Sequence, residues 1–186
     1  MNFLHIDETI LFFFNQTLSN KFFDFLARFF DKPDPFIIPL VIIWLYFFIK
    51  GNRQRRISLL LILLVILLTD TFSSRIFKPL IGRSRPCAIY DLNLPIGFSS
   101  SFSMPSSHAT NISGFSIYLI YLRKKWSYFL IPLIFFVSIS RVYAGIHYPS
   151  DLVAGWTLGF LIASGVYLLR RRLICKKKNT ANTAEI

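Results

Sequence analysis

Residues 36–49 read FIIPLVIIWLYFFI and residues 57–68 read ISLLLILLVILL, two uncharged runs separated by the basic turn KGNRQRR. An α-helix rises about 1.5 Å per residue, so a bilayer core of about 30 Å takes about 20 residues and each run must borrow its flanks to cross. Three further apolar stretches, at 109–122, 126–143 and 152–169, have the same helix-compatible character. The expected fold is all-α, a polytopic transmembrane helix bundle of five spans. Buried helices of a soluble bundle fit less well, because basic clusters separate so many uncharged runs.

Composition agrees. Of 186 residues, 54% are hydrophobic and 16% charged, where an ordinary soluble domain carries about a quarter charged residues. The chain reads as a single membrane-embedded domain over 1–178, with a polar tail at 179–186 expected to be disordered and cytoplasmic. Cys87 and Cys175 lie far apart, with no second Cys or His at zinc-finger spacing, which argues against a disulfide framework and a structural zinc.

The first thirty residues differ. Asp7, Glu8, Asn15, Gln16, Lys21, Asp24 and Arg28 interrupt a pattern otherwise dominated by phenylalanine. Such a stretch is expected to form an amphipathic helix lying in the membrane interface, with a sixth span as the alternative. Acidic residues near the start and the lack of a small-residue cleavage site argue against a signal peptide.

The net charge of +12 is compatible with nucleic acid, anionic lipid or a phosphorylated substrate. Its placement favours topology. Four cations at 50–56, three at 123–125 and six at 170–178, out of 21, fall on one side of a five-span arrangement, the cytoplasmic side by the positive-inside rule. No recognised nucleic-acid motif accompanies them, so no nucleic-acid partner is expected. Trp44, Trp126, Tyr128 and Tyr148 read as interface aromatics. Gly155, Gly159 and Ala163 read as a small-residue stripe for close helix packing.

Lys78, Arg83, Arg85 and Arg141 lie on the other side, where the topology rule does not put cations. An anion held at the membrane surface accounts for them. In KPLIGRSRP, residues 78–86, Lys78 and Arg85 offer a point charge and a two-pronged donor to a phosphate; alone, this cluster reads equally as an anchor snorkelling to headgroups. In MPSSHAT, residues 104–110, Pro105 suits a helix start. The amides of Ser106, Ser107 and His108 are then expected to be unpaired donors at a positive helix end. In SRVYAGIHYPSD, residues 140–151, Asp151 follows His147 by four. An Asp bonded to one imidazole nitrogen presents the other as nucleophile or base, and Arg141 adds a third cation. If the spans bundle, the three clusters meet.

With these residues in place, the chain resembles the phosphatidic acid phosphatase type 2 superfamily of membrane lipid phosphatases. The family's signature, K-x6-R-P, P-S-G-H and S-R-x5-H-x3-D, is matched by Lys78 with Arg85-Pro86, by Pro105-Ser106-Ser107-His108, and by Ser140-Arg141 with His147 and Asp151. Ser107 stands where the family usually has Gly, and its Cβ is expected to crowd the phosphate or restrict the turn. The resemblance, over roughly residues 70–165, implies attack by His147 on phosphorus, orientation by Asp151 and protonation of the leaving oxygen by His108. A phosphohistidine is cleaved by water in a second step. Lys78, Arg85, Arg141, Ser106 and Ser107 then hold the phosphate oxygens, and no metal or other cofactor is called for.

The implied activity is removal of phosphate from a membrane lipid at the outer face of a bacterial cytoplasmic membrane. Lipid A 1-phosphate or undecaprenyl diphosphate leads phosphatidylglycerophosphate and phosphatidic acid as substrate. A lipid phosphotransferase using the same histidine and a non-catalytic anionic-lipid-binding protein are the alternatives. Cations near an empty site disfavour protonated His108 and a bound dianion restores the proton, so activity is expected to peak at mildly acid to neutral pH.

Overall fold

The computed structural model describes residues 3–32 and 34–182, all of whose regular elements are helical. Helix α1 (Phe3–Phe12) runs into a π-helical turn, Phe13–Thr17, and is followed by α2 (Lys21–Asp31). The side chain of Asn20 caps α2 by accepting from the amides of Phe22 and Phe23 at 3.0 Å. Helix α3 (Asp34–Lys50) leads to α4 (Arg53–Asp70), which continues through a π-helical stretch, Thr71–Phe77, into the short α5 (Lys78–Ile81). Helices α6 (Ser107–Leu122), α7 (Ser127–Tyr143) and α8 (Pro149–Asn182) complete the bundle. Of the tail expected to be disordered, 179–182 close α8 and 183–186 lie outside the described residues.

Three helical runs among the described residues are long and apolar enough to cross a membrane: Arg53–Ile81, Lys124–Tyr143 and Pro149–Cys175. A fourth arises if α2 and α3, which meet at a 47° bend, form one broken span. The stretches expected to span at 36–49 and 109–122 therefore do not qualify on their own helix lengths of 17 and 16 residues, about 25 Å each. For α6 the cause is local. The helix starts at the Ser106 cap inside the polar end of the bundle, and it stops at Arg123, where the backbone turns extended.

The core lies where α6 passes between α4 and α8. Leu61, Ile62 and Val65 of α4 pack with Tyr118 of α6 and with Ala163 and Val166 of α8. The small-residue stripe on α8 makes this approach possible: a Cβ on Gly159 would stand 2.0 Å from Ser113 Oγ and 2.6 Å from the Thr110 carbonyl oxygen. The outward faces remain apolar. Ile38 on α3, Leu80 on α5 and Phe136 on α7 are each about two-thirds exposed or more, the surface a bilayer would cover.

The N-terminal helices do more than float on an interface. Nearly every polar residue that breaks their phenylalanine pattern is bonded to the rest of the chain. Asp7 pairs with Arg83, Glu8 accepts from Tyr90, and Arg28 donates to the Pro95 carbonyl. Asn15 is fully buried; it donates to the carbonyls of Asn93 and Tyr143 at 2.7 Å and accepts from the Asn93 amide. Asp24 accepts from Tyr143. Helices α1 and α2 thus cover the end of the bundle at which α5, α6 and α8 present the three motifs.

Candidate active site

Asp151 opens α8 and is fully buried. Its Oδ2 accepts from the Tyr148 amide at 2.8 Å and from the Ser103 hydroxyl, and stands 3.3 Å from His147 Nδ1. Its Oδ1 accepts from Arg83 Nη1 at 2.7 Å. The carboxylate therefore fixes the imidazole from one side, and Arg85 approaches from the other, with Nη1 3.4 Å from His147 Nε2. An arginine only donates, so Nε2 is the acceptor here and Nδ1 carries the proton toward Asp151. Burial holds the His147 ring neutral, with its pKa lowered to about 3; the bond to Asp151 opposes this and the nearby Arg85 and Lys78 charges reinforce it.

Arg85 is itself held by the loop that precedes α6. Its Nε donates to the Ser101 carbonyl and its Nη2 to the Ser101 hydroxyl, both at 2.8 Å, while Nη1 also reaches the Ile146 carbonyl at 3.1 Å. The start of α6 is tied to the start of α8 through the Ser106 amide, which donates to the Asp151 carbonyl at 3.0 Å. The Ser106 side chain accepts from the Ala109 amide. The first-turn amides that remain, of Ser107 and His108, have no acceptor inside a helix and belong to residues that line the cavity.

A cavity of about 230 Å³ brings together Lys78, Arg85, Ser107, His108 and His147, with Asp31 and residues 96–99 completing its wall. Three residues expected at the phosphate or in catalysis do not line it. Asp151 stands behind His147. Ser106 is buried with its amide already engaged, against the expectation of a free donor there. Arg141 is fully buried and turned to α2, where it pairs with Asp31 at 2.7 Å, donates to the Ala27 carbonyl at 3.0 Å and bonds Ser140.

Tyr148 is not an interface aromatic. It is buried, and the Arg83 guanidinium lies 4.0 Å from its ring centroid. Burial works against the charge of Arg83, but its bonds to Asp7 and the Asp151 carboxylate outweigh this and raise its pKa. Ser101, Ser103 and Asp31 are site residues that the sequence reading passed over, and Asp7 reads there only as a polar break in the phenylalanine pattern. Only the serine-rich run FSSSFSM at 98–104, directly before the second motif, carries a visible signal for any of them.

The Ser107 hydroxyl lies 2.9 Å from that of Ser74, in the π-helical stretch below Lys78. Its side chain is thus anchored to the wall.

A helical bundle with spans of membrane length defines a multi-pass membrane protein, here with a cationic, histidine-bearing cavity at one end. The chain belongs to the PAP2 superfamily, whose family model matches residues 59–175. It is 36% identical over 168 residues to the lipid A 4'-phosphatase of Bacteroides thetaiotaomicron, covering 83% of this chain and 72% of that protein. It is 30% identical over 141 residues to phosphatidylglycerophosphatase B of Bacillus subtilis, covering 68% and 64%. In fold it is similar to the crystal structure of a transmembrane PAP2-type phosphatidylglycerolphosphate phosphatase from Bacillus subtilis, with a TM-score of 0.72 over 91% of this chain and 86% of that one at 24% identity.

Proposed function

We propose that this chain hydrolyses a phosphate from a membrane lipid, without a metal, through a phosphohistidine on His147. That it is a lipid phosphatase follows from its family. The observation supporting the mechanism is the single cavity that gathers Lys78, Arg85, His108 and His147 while Asp151 holds the far side of the His147 ring.

His147 Nε2 attacks phosphorus, and the bond from phosphorus to the lipid oxygen breaks as His108 gives that oxygen a proton. Water then attacks the phosphohistidine, losing its proton to His108, and inorganic phosphate leaves. Lys78, Arg85 and the amides of Ser107 and His108 stabilise the charge on the equatorial oxygens. Arg141 acts from behind Asp31.

Within this class we place a lipid A phosphate first. The relative from Bacteroides thetaiotaomicron supports the 4' position over the 1 position; undecaprenyl diphosphate, phosphatidylglycerophosphate and phosphatidic acid complete the candidates. We place the enzyme in a bacterial cytoplasmic membrane with α4, α7 and α8 crossing it, the shorter α3 and α6, of 17 and 16 residues, crossing with the help of their flanks, and the cavity facing outward. The supporting observation is the far end of the bundle: Tyr118 donates to the Ser58 carbonyl and Arg170 to the Ser58 hydroxyl, gathering the basic helix ends away from His147. Cys175 is exposed at that end, so an impermeant thiol reagent should label it in inside-out vesicles and not in intact cells. The reverse pattern contradicts the orientation.

The deciding experiment is purified protein in detergent with chelator, offered the phosphorylated lipids above alongside His108→Ala and His147→Ala. One specific dephosphorylated product, lost in both variants, is expected; retained turnover in either contradicts the roles.

A further inference from the structure

Asp151 is fully buried, and a carboxylate removed from water stays ionised only beside a compensating charge. The neutral ring of His147 does not supply it at rest. Arg83 does, through the 2.7 Å contact of Nη1 with Asp151 Oδ1. The second prong of the same guanidinium, Nη2, holds Asp7 of α1 at 2.8 Å. Its face covers Tyr148, the residue whose amide bonds Asp151 Oδ2. Asp7 is locked in turn by the amide and hydroxyl of Ser150, next to Asp151.

We propose that Arg83 is a positioning residue for phosphoryl transfer and that Asp7 of α1 anchors it, so that the N-terminal helix holds Asp151, and through it the ring of His147, in register with the phosphate. The proposal rests on the phosphohistidine reading given above. As His147 attacks, its ring gains positive charge and the bond from Nδ1 to Asp151 tightens. Arg83 holds Oδ1, and Ser103 and the Tyr148 amide hold Oδ2, so both carboxylate oxygens are engaged in one orientation. Arg83 does not line the cavity that contains His108 and His147 but borders a separate one with Glu8, Tyr90 and Tyr148, so a positioning role is read in kcat and any direct hold on the lipid in KM. The bidentate demand also explains the residue type: a lysine supplies one point charge and cannot bridge both carboxylates with a planar fork.

The test is steady-state kinetics of the full-length protein in detergent, on the phosphorylated lipid that the wild type cleaves, for Arg83→Gln, Arg83→Lys and Asp7→Asn. Arg83→Gln is expected to lower kcat at least about tenfold with KM within about threefold, the pattern of a lost transition-state interaction. Arg83→Lys should recover part of that loss, and Asp7→Asn should lower kcat by about threefold. Unchanged kcat, or a change confined to KM, overturns the proposal, as does a lysine no better than glutamine. If Arg83→Gln does not yield a folded protein by elution and melting, the other two variants decide, and wild-type kcat in both overturns it. A wild type that turns over none of the lipids overturns the functional reading and this proposal together; an active wild type with an indifferent Arg83 overturns this proposal alone.

Discussion

Arg141 and Asp31 meet at 2.7 Å although 110 residues separate them, and this pair ties α7 to the end of α2 at the wall of the cavity. The arginine is completely buried, while the Asp31 side chain retains 30% exposure. The guanidinium is engaged by protein groups on every side described, and Asp31 lines the cavity.

Arg141→Ala should therefore act mainly on stability. Losing one partner of a buried ion pair costs about 3 kcal/mol, at the low end because Asp31 keeps contact with water. Asp31→Asn should cost less, since an amide oxygen can still accept from Arg141. Thermal unfolding in detergent checks both. An Arg141→Ala protein of unchanged melting temperature and raised KM would instead place the guanidinium on the phosphate.

Ser107→Gly restores the residue usual in the family. Ser107 lines the cavity, and its hydroxyl is engaged by that of Ser74. The expected result is kcat/KM within about threefold of wild type and a stability loss of about 1 kcal/mol from the freer backbone and the lost bond. A tenfold rise in kcat/KM would mean that the Cβ obstructs the substrate.

The three motifs were legible because each is a short, fixed spacing: seven residues from Lys78 to Arg85 and four from His147 to Asp151 are properties of the chain itself. That they meet follows from the packing of α6 against α4 and α8, which brings the ends of α5, α6 and α8 together. Arg141 could not be placed this way, because its partner is chosen by where α2 docks, and Asn15 likewise bonds residues 78 and 128 positions away. The polar breaks in the N-terminal phenylalanine pattern were visible, but their purpose is tertiary. Span count was the least legible feature, since composition marks apolar runs and leaves open where a polar cap such as Ser106 starts a helix.

The pH dependence follows from His147. Its folded pKa is lowered to about 3, against about 6.5 in an unfolded chain. Below pH about 6.5 the unfolded chain takes up a proton that the folded ring refuses, so this residue's contribution to stability is constant above that value and falls progressively toward pH 3. Compared across pH 4 to 8, the melting temperature of wild type should fall relative to that of His147→Gln as pH drops below about 6.5. The nucleophile also stays unprotonated at about pH 5.5, so protonation of His147 should not limit turnover there. A rate that collapses with an apparent pKa near 6.5, matched by proton uptake on His147, would contradict the buried, neutral ring.

The most direct measurement is to trap the covalent intermediate. Protein incubated with lipid labelled on its phosphate, in the presence of chelator, is quenched in alkali and digested. The label should appear on the peptide containing His147, stable in base and labile in acid, and should be absent from His147→Ala. Turnover by the wild type with the label on another residue, or undiminished turnover by His147→Ala, would contradict the account.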